Sequence, residues 1–183
     1  MENFAEYILN EKNYLKKIEI AYYLHKNANT FFDKSVICKT ELARRFIETM
    51  NIDVDENLVI TACLLYASKK VTVATDFQQI KFYAKEGAEF LAKIGFDERF
   101  CRICEGVNRY SGLTPREPES DILELVDNLG GLLLNRSDRV SYGMQQAMEL
   151  LVNKNLRKVD NRYMDLFKEF IYKEEGIMLW VYK

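Results

Sequence analysis

Apolar residues recur at steps of three and four along most of the chain, the repeat that sets one face of an α-helix against a core. Leu15, Ile18, Tyr22 and His25 predict the buried face of a first long helix. Leu42, Phe46, Ile47 and Met50 predict a second, and Leu58, Val59, Ala62, Leu65 and Tyr66 a third. Asp53 and Glu56 precede the third at the spacing of a capping box. Thr75 and Gln78 repeat that spacing before a fourth segment, in which Phe77, Ile80, Ala84, Gly87, Leu91 and Ile94 share a face. Phe100, Ile103, Val107 and Tyr110 predict a fifth.

Both prolines fall in "SGLTPREPES", which carries the clearest turn chemistry in the chain. "DILELVDNLGGLLL" follows it and is apolar on most sides, the mark of a central buried helix. "SYGMQQAMELLVNKN" and "NRYMDLFKEFIYK" predict two closing helices. No repeat, low-complexity stretch or linker divides the chain. The expectation is an all-α helical bundle in one domain over 1–183, with leading helices over 1–35, a core over about 36–171 and an apolar tail over 172–183. The tail, "GIMLWVYK", holds the single tryptophan, and is read either as packed back on the bundle or as a docking strand.

Composition changes this picture little. Of 183 residues, 48% are hydrophobic and 30% charged, which suits a globular core rather than disorder. A net charge of −2, with basic and acidic residues interleaved, predicts neither a nucleic-acid nor a membrane footprint. The opening "MENFAEYILNEKNYLKK" lacks the apolar core of a signal peptide. Four cysteines spread through helical pattern are read as thiols in a cytoplasmic protein.

Five segments, in order, resemble the HD superfamily, and within it the HD-GYP branch of bacterial cyclic-di-GMP phosphodiesterases. They are "CKTELARRFIETMNI", "ACLLYASKK", "DFQQIKFYAKEGAEFL", "ILELVDNLGGLLLNRSDR" and "SYGMQQAMELLVNKNLRKVDNRYMDLF", together covering about 36–171. The resemblance implies an HD-domain-like fold, and it implies ligand positions for a two-metal centre. At those positions stand Cys38 for the first histidine, Tyr66 and Ala67 for a His-Asp pair, and Tyr83 for a later histidine. Val107, Asn108 and Arg109 stand where the family has a His-His pair, and the Gly-Tyr-Pro loop is missing. Asp127 alone keeps a ligand type, and Lys70 keeps the lysine that follows the motif.

A two-metal hydrolase needs several imidazoles and carboxylates converging on its cations. Tyrosine is protonated at neutral pH, alanine has no donor atom, and arginine repels a cation. The expectation is therefore a former site with no metal and no cofactor, filled by the Tyr66 and Tyr83 rings, whose hydroxyls satisfy one another or Asp127. Asp127, on an apolar helix, needs a partner: Tyr66, Tyr83 or a nearby arginine.

Lys70, Arg109, Arg136 and Arg139 are the candidate ligand-binding residues, as a basic patch at the old site's mouth. In the family that neighbourhood handles phosphate, so the resemblance implies a retained nucleotide contact. The plainer reading pairs these charges with Asp121, Asp138 or Glu117. Cys101 and Cys104 form a CxxC on a helix, without the context of a zinc or redox motif. His25 is the single histidine and reads as a core or boundary residue.

The expected function is a catalytically inactive, HD-GYP-like regulatory module that binds a protein partner or a second copy of itself. The alternative is a metal-dependent phosphohydrolase with a centre rebuilt from Asp127, Cys38 and Glu86 or Glu105. A third reading is a cyclic-dinucleotide-binding domain without cleavage.

Overall fold

The computed structural model describes residues 4–30, 32–70, 77–135, 140–155 and 161–178. Among these residues the chain is all-α: nine α-helices and one 3-10 turn, with no strand. In order they are α1 (Phe4–Asn10), α2 (Tyr14–Asn27), α3 (Ser35–Met50), α4 (Glu56–Leu65), α5 (Phe77–Lys93), α6 (Glu98–Glu105), the 3-10 turn (Arg109–Ser111), α7 (Pro118–Leu133), α8 (Met144–Asn155) and α9 (Met164–Met178).

Two helices make the centre. α4 is buried all round from Val59 to Leu65, as its run of apolar residues dictates. α7 starts with Pro118 in its first turn, where the missing N–H costs nothing, and buries most of its next two turns. α3 packs against both, burying Val36, Leu42, Ala43, Phe46 and Ile47. α9 seats on α3 through aromatic rings: Phe46 meets Phe167 edge-on at 4.9 Å and Phe170 at 5.3 Å. Such pairs add roughly 0.5–1.5 kcal/mol each beyond the area they bury.

Two local expectations shift. α4 is capped by Asp55, not Asp53: the Asp55 carboxylate accepts the Leu58 N–H at 3.1 Å, so the helix begins at Glu56. On α2, Leu15 is 73% exposed and Tyr22 45% exposed, while Lys17, Ala21 and His25 are buried. The buried face is rotated because the Lys17 amine finds interior acceptors. It donates to the Ile8 carbonyl at 2.5 Å and to Thr61 Oγ1 at 2.6 Å. A lysine with such partners can take a core position that an apolar count assigns to its neighbours.

The fifth predicted segment divides. Phe100, Ile103 and Val107 are buried, but α6 ends at Glu105 and Tyr110, in the 3-10 turn, is half-exposed. At the other end α9 runs through Gly176 to Met178, so the expected tail begins as helix. Residues 179–183, and Thr75 of the second expected capping box, lie outside the described residues.

Candidate functional site

Asp127 lies on the face of α7 that meets α3 and the end of α4. Its Oδ1 accepts the Lys39 ammonium at 2.8 Å and the Tyr66 hydroxyl at 2.5 Å. Lys39 Nζ also donates to Tyr66 Oη at 3.2 Å, closing a triangle of side chains from α3, α7 and the residue after α4. Lys39 reaches this point along α7 because residue 130 is glycine. A Cβ there would lie 2.6 Å from Lys39 Cγ.

A second lysine stands at the rim. Lys70 Nζ is 3.8 Å from Asp127 Oδ1 and 3.6 Å from Asp33 Oδ2, and 5.7 Å from the centre of the Tyr83 ring. Tyr66 is fully buried and Tyr83 nearly so. Cys63, also buried, lies close enough to sense the Asp127 charge.

The electrostatics follow from this packing. Burial pushes the Asp127 pKa up, but the charges of Lys39 and Lys70 and the hydrogen bonds from Lys39 and Tyr66 outweigh it. The carboxyl is held well below the usual carboxylate range. Burial pulls Lys39 down and Asp127 more than restores it, so the amine stays charged. Burial, with the adjacent Asp127 charge, drives the Tyr66 and Tyr83 phenols well above their ordinary value, so both remain protonated. The cluster is therefore two ammonium ions against Asp127 and Asp33, with two neutral phenols. Asp127, Lys39, Tyr66 and Tyr83 are all held away from a proton exchange near neutrality.

The positions implied by the family resemblance sort clearly. Tyr66, Tyr83 and Asp127 gather at one place, and Ala67 is buried beside them. Cys38 does not join them. It is exposed, and the next residue, Lys39, points inward in its stead. Of the residues considered for a rebuilt centre, Cys38 and Glu86 face solvent. Among the described residues no three His, Cys, Asp or Glu side chains gather where they could hold a metal ion. The donor set does not fit the two-metal centre that the resemblance implies: a carboxylate already bonded to an ammonium and a phenol has little left to offer a cation.

The basic patch divides. Lys70 sits at the Asp127 rim, whereas Arg109 is bound to Glu124, one turn earlier on α7. Its Nε and Nη2 meet the Glu124 carboxylate at 2.8–3.0 Å. Arg136, Arg139 and Asp138 lie outside the described residues.

Around Glu124 lies a second charged cluster, in which Arg109 also meets Asp121 at 3.7 Å, as the plainer sequence reading has it, and to which sequence reasoning did not assign Arg116, Arg162, Asn161 or Glu124. Arg116 Nε donates to Asp121 Oδ1 at 2.8 Å and Arg162 Nε to Asp121 Oδ2 at 2.8 Å. Asn161 Nδ2 donates to Glu124 Oε2 at 3.0 Å and to the Asp121 carbonyl at 2.9 Å. Nearby, Arg99 binds Glu119 at 2.6 Å. These pairs join residues up to 41 positions apart, beyond the reach of local pattern. Lys39 was more accessible: position 39 falls on the three-and-four repeat between Val36 and Ala43, where a lysine is out of place unless paired.

His25 is a buried core histidine. Its Nδ1 is 2.8 Å from Thr30 Oγ1 and its Nε2 3.4 Å from Ser68 Oγ. Burial, helped by Lys69, lowers its pKa to about 4, so it is neutral at pH 7. Cys101 and Cys104 are free thiols on α6. Burial raises both, Cys101 to about 11, which suppresses the reactive thiolate. Among the described residues no helix is long and apolar enough to cross a membrane. Comparison with family models, curated proteins and solved structures finds no match.

Proposed function

We propose that this chain is a non-catalytic, HD-GYP-like helical module that acts by binding a protein partner or a second copy of itself, and retains at most a nucleotide contact near Lys70. One observation carries the reading: the Lys39 ammonium lies 2.8 Å from Asp127, the acid that matches a family metal ligand. A fixed organic cation takes the charge-neutralising place that a metal would hold. It cannot activate water, because an ammonium has no open coordination position.

The surface supports a binding role. α1 and α2 expose Tyr7, Tyr22 and Tyr23, each about half accessible, beside a groove of ≈ 500 Å³. Aromatic rings on a surface favour contact with other proteins. Four cysteines held as thiols fit a reducing, cytoplasmic setting.

Elemental analysis of purified protein, with a hydrolysis assay on cyclic dinucleotides, tests the proposal. The expected result is substoichiometric iron, manganese and zinc and no turnover. Stoichiometric metal that disappears in Asp127→Ala would overturn it in favour of a rebuilt phosphohydrolase.

A further inference from the structure

The Asp121–Glu124 cluster borders an open cavity of ≈ 610 Å³, whose lining includes Arg109, Leu113, Thr114, Arg116, Asp121 and Arg162. From this geometry we infer a binding site for a small phosphate ester, separate from the former metal centre. It goes beyond the loss of catalysis and does not depend on it.

Charge is the first argument. Three guanidinium groups, from Arg109, Arg116 and Arg162, meet two carboxylates, Asp121 and Glu124. The acids lie inside, with side chains 4% and 11% exposed; Arg116 is as buried as Glu124, while Arg109 and Arg162 lie outward at 29% and 45%. The outer wall that a ligand meets therefore carries the Arg109 and Arg162 guanidinium groups rather than the acids.

Donor accounting is the second. The carboxylates are saturated: Asp121 takes Arg116 on one oxygen and Arg162 on the other, and Glu124 takes Arg109, Arg116 and Asn161. A guanidinium carries five N–H donors. Arg116 spends Nε and Nη2 on Asp121, Glu124 and the Ser120 carbonyl; Arg162 spends Nε and Nη2 on Asp121 and the Arg116 carbonyl. Among the described residues Nη1 of each has no acceptor. Thr114 lines the same cavity and brings a hydroxyl to it as a further candidate donor. Buried acids thus hold rigid guanidinium forks whose remaining donors match phosphate oxygens.

Size and lining choose the ligand class. The volume exceeds that of a bare phosphate and falls in the range of small-molecule pockets. The lining includes one aliphatic side chain, Leu113, and no aromatic ring, so a nucleobase would find no stacking partner. The ligand is a compact phosphate monoester carrying hydroxyls rather than a flat base.

Calorimetric titration of the full chain at low salt with inorganic phosphate, glycerol phosphate and adenosine monophosphate tests this. One equivalent of glycerol phosphate should bind, more tightly than inorganic phosphate and no more weakly than the nucleotide. Arg162→Gln should weaken it about ten-fold, the value of one charge-assisted contact. Arg44→Gln, on the exposed surface of α3, should leave it unchanged. Circular dichroism checks that Arg162→Gln is folded. Should it not fold, Thr114→Val, which leaves every ion pair intact, should still weaken binding measurably. No heat with any probe at millimolar concentration overturns the site. So does binding that survives both cavity substitutions, or a nucleotide preference of ten-fold or more. Binding lost in Lys70→Gln but kept in Arg162→Gln would move the contact to the former metal centre, overturning this site and leaving the proposed function intact.

Discussion

At the scale of single residues, the two buried lysines make opposite cases. Lys39 has an anion. Replacing it with methionine leaves Asp127, its side chain 19% exposed, with only the longer contact to Lys70 at 3.8 Å. Loss of one partner of such a pair costs roughly 3–5 kcal/mol. We expect urea denaturation of Lys39→Met to show a loss of this size. Lys39→Met combined with Asp127→Leu should recover most of it, because no stranded charge remains. Among the described residues Lys17 has no anion at contact distance, only Ile8 O and Thr61 Oγ1. Burial, aided by Lys12, lowers its pKa from 10.5 to about 8, although Glu11 and Asp55 oppose the shift. Between those two values the unfolded chain binds more protons than the folded one, so stability rises with pH across that window. Below pH 8 the penalty is present in full. Denaturant midpoints measured from pH 7.5 to 10.5 should climb in the wild type relative to Lys17→Met, in which this contribution is absent.

At the scale of elements, the adjacent glycines of α7 separate packing from propensity. A Cβ at Gly130 would meet the stem of Lys39 at 2.6 Å, whereas one at Gly131 meets nothing within 4 Å. Gly130→Ala should therefore displace Lys39 and destabilise by about 1–3 kcal/mol, the range of an overpacked core. Gly131→Ala should stabilise by up to about 1 kcal/mol through helix propensity alone. Thermal unfolding of the two variants should move in opposite directions. The helices themselves were legible, because their repeat is local: α3, α4 and α7 bury most of the residues their periodicity marks, with Met50 and Leu58 half-buried at their ends. What periodicity misjudged was α2, where a polar residue with interior acceptors outranks Leu15 for the core. It also misplaced the start of α4, where three acidic residues compete for one cap and geometry selects Asp55.

At the scale of the whole molecule, the centre is made by contacts that no local pattern holds. Lys39 and Asp127 are 88 positions apart, and Tyr66 and Asp127 are 61 apart. The meeting of Tyr66 with Asp127 could be anticipated because a family resemblance supplied the alignment of segments. The lysine was passed over, although its place on the α3 repeat marked it, because the resemblance drew attention to Cys38, one residue away and facing outward. Of the arginines around Asp121 and Glu124, Arg109 was paired with Asp121 in the plainer reading, but Arg116 and Arg162 were invisible for a different reason: their pairings depend on how the residues before α9 and the loop before α7 come to rest on one another.

The tethered amine at the heart of α3 has a practical result for the protein as a whole. A cation that belongs to the polypeptide arrives with translation, at one copy per chain, and no scavenger can strip it away. The melting temperature should therefore be the same in excess EDTA as in excess manganese, and the fold should assemble equally well in cells starved of transition metals.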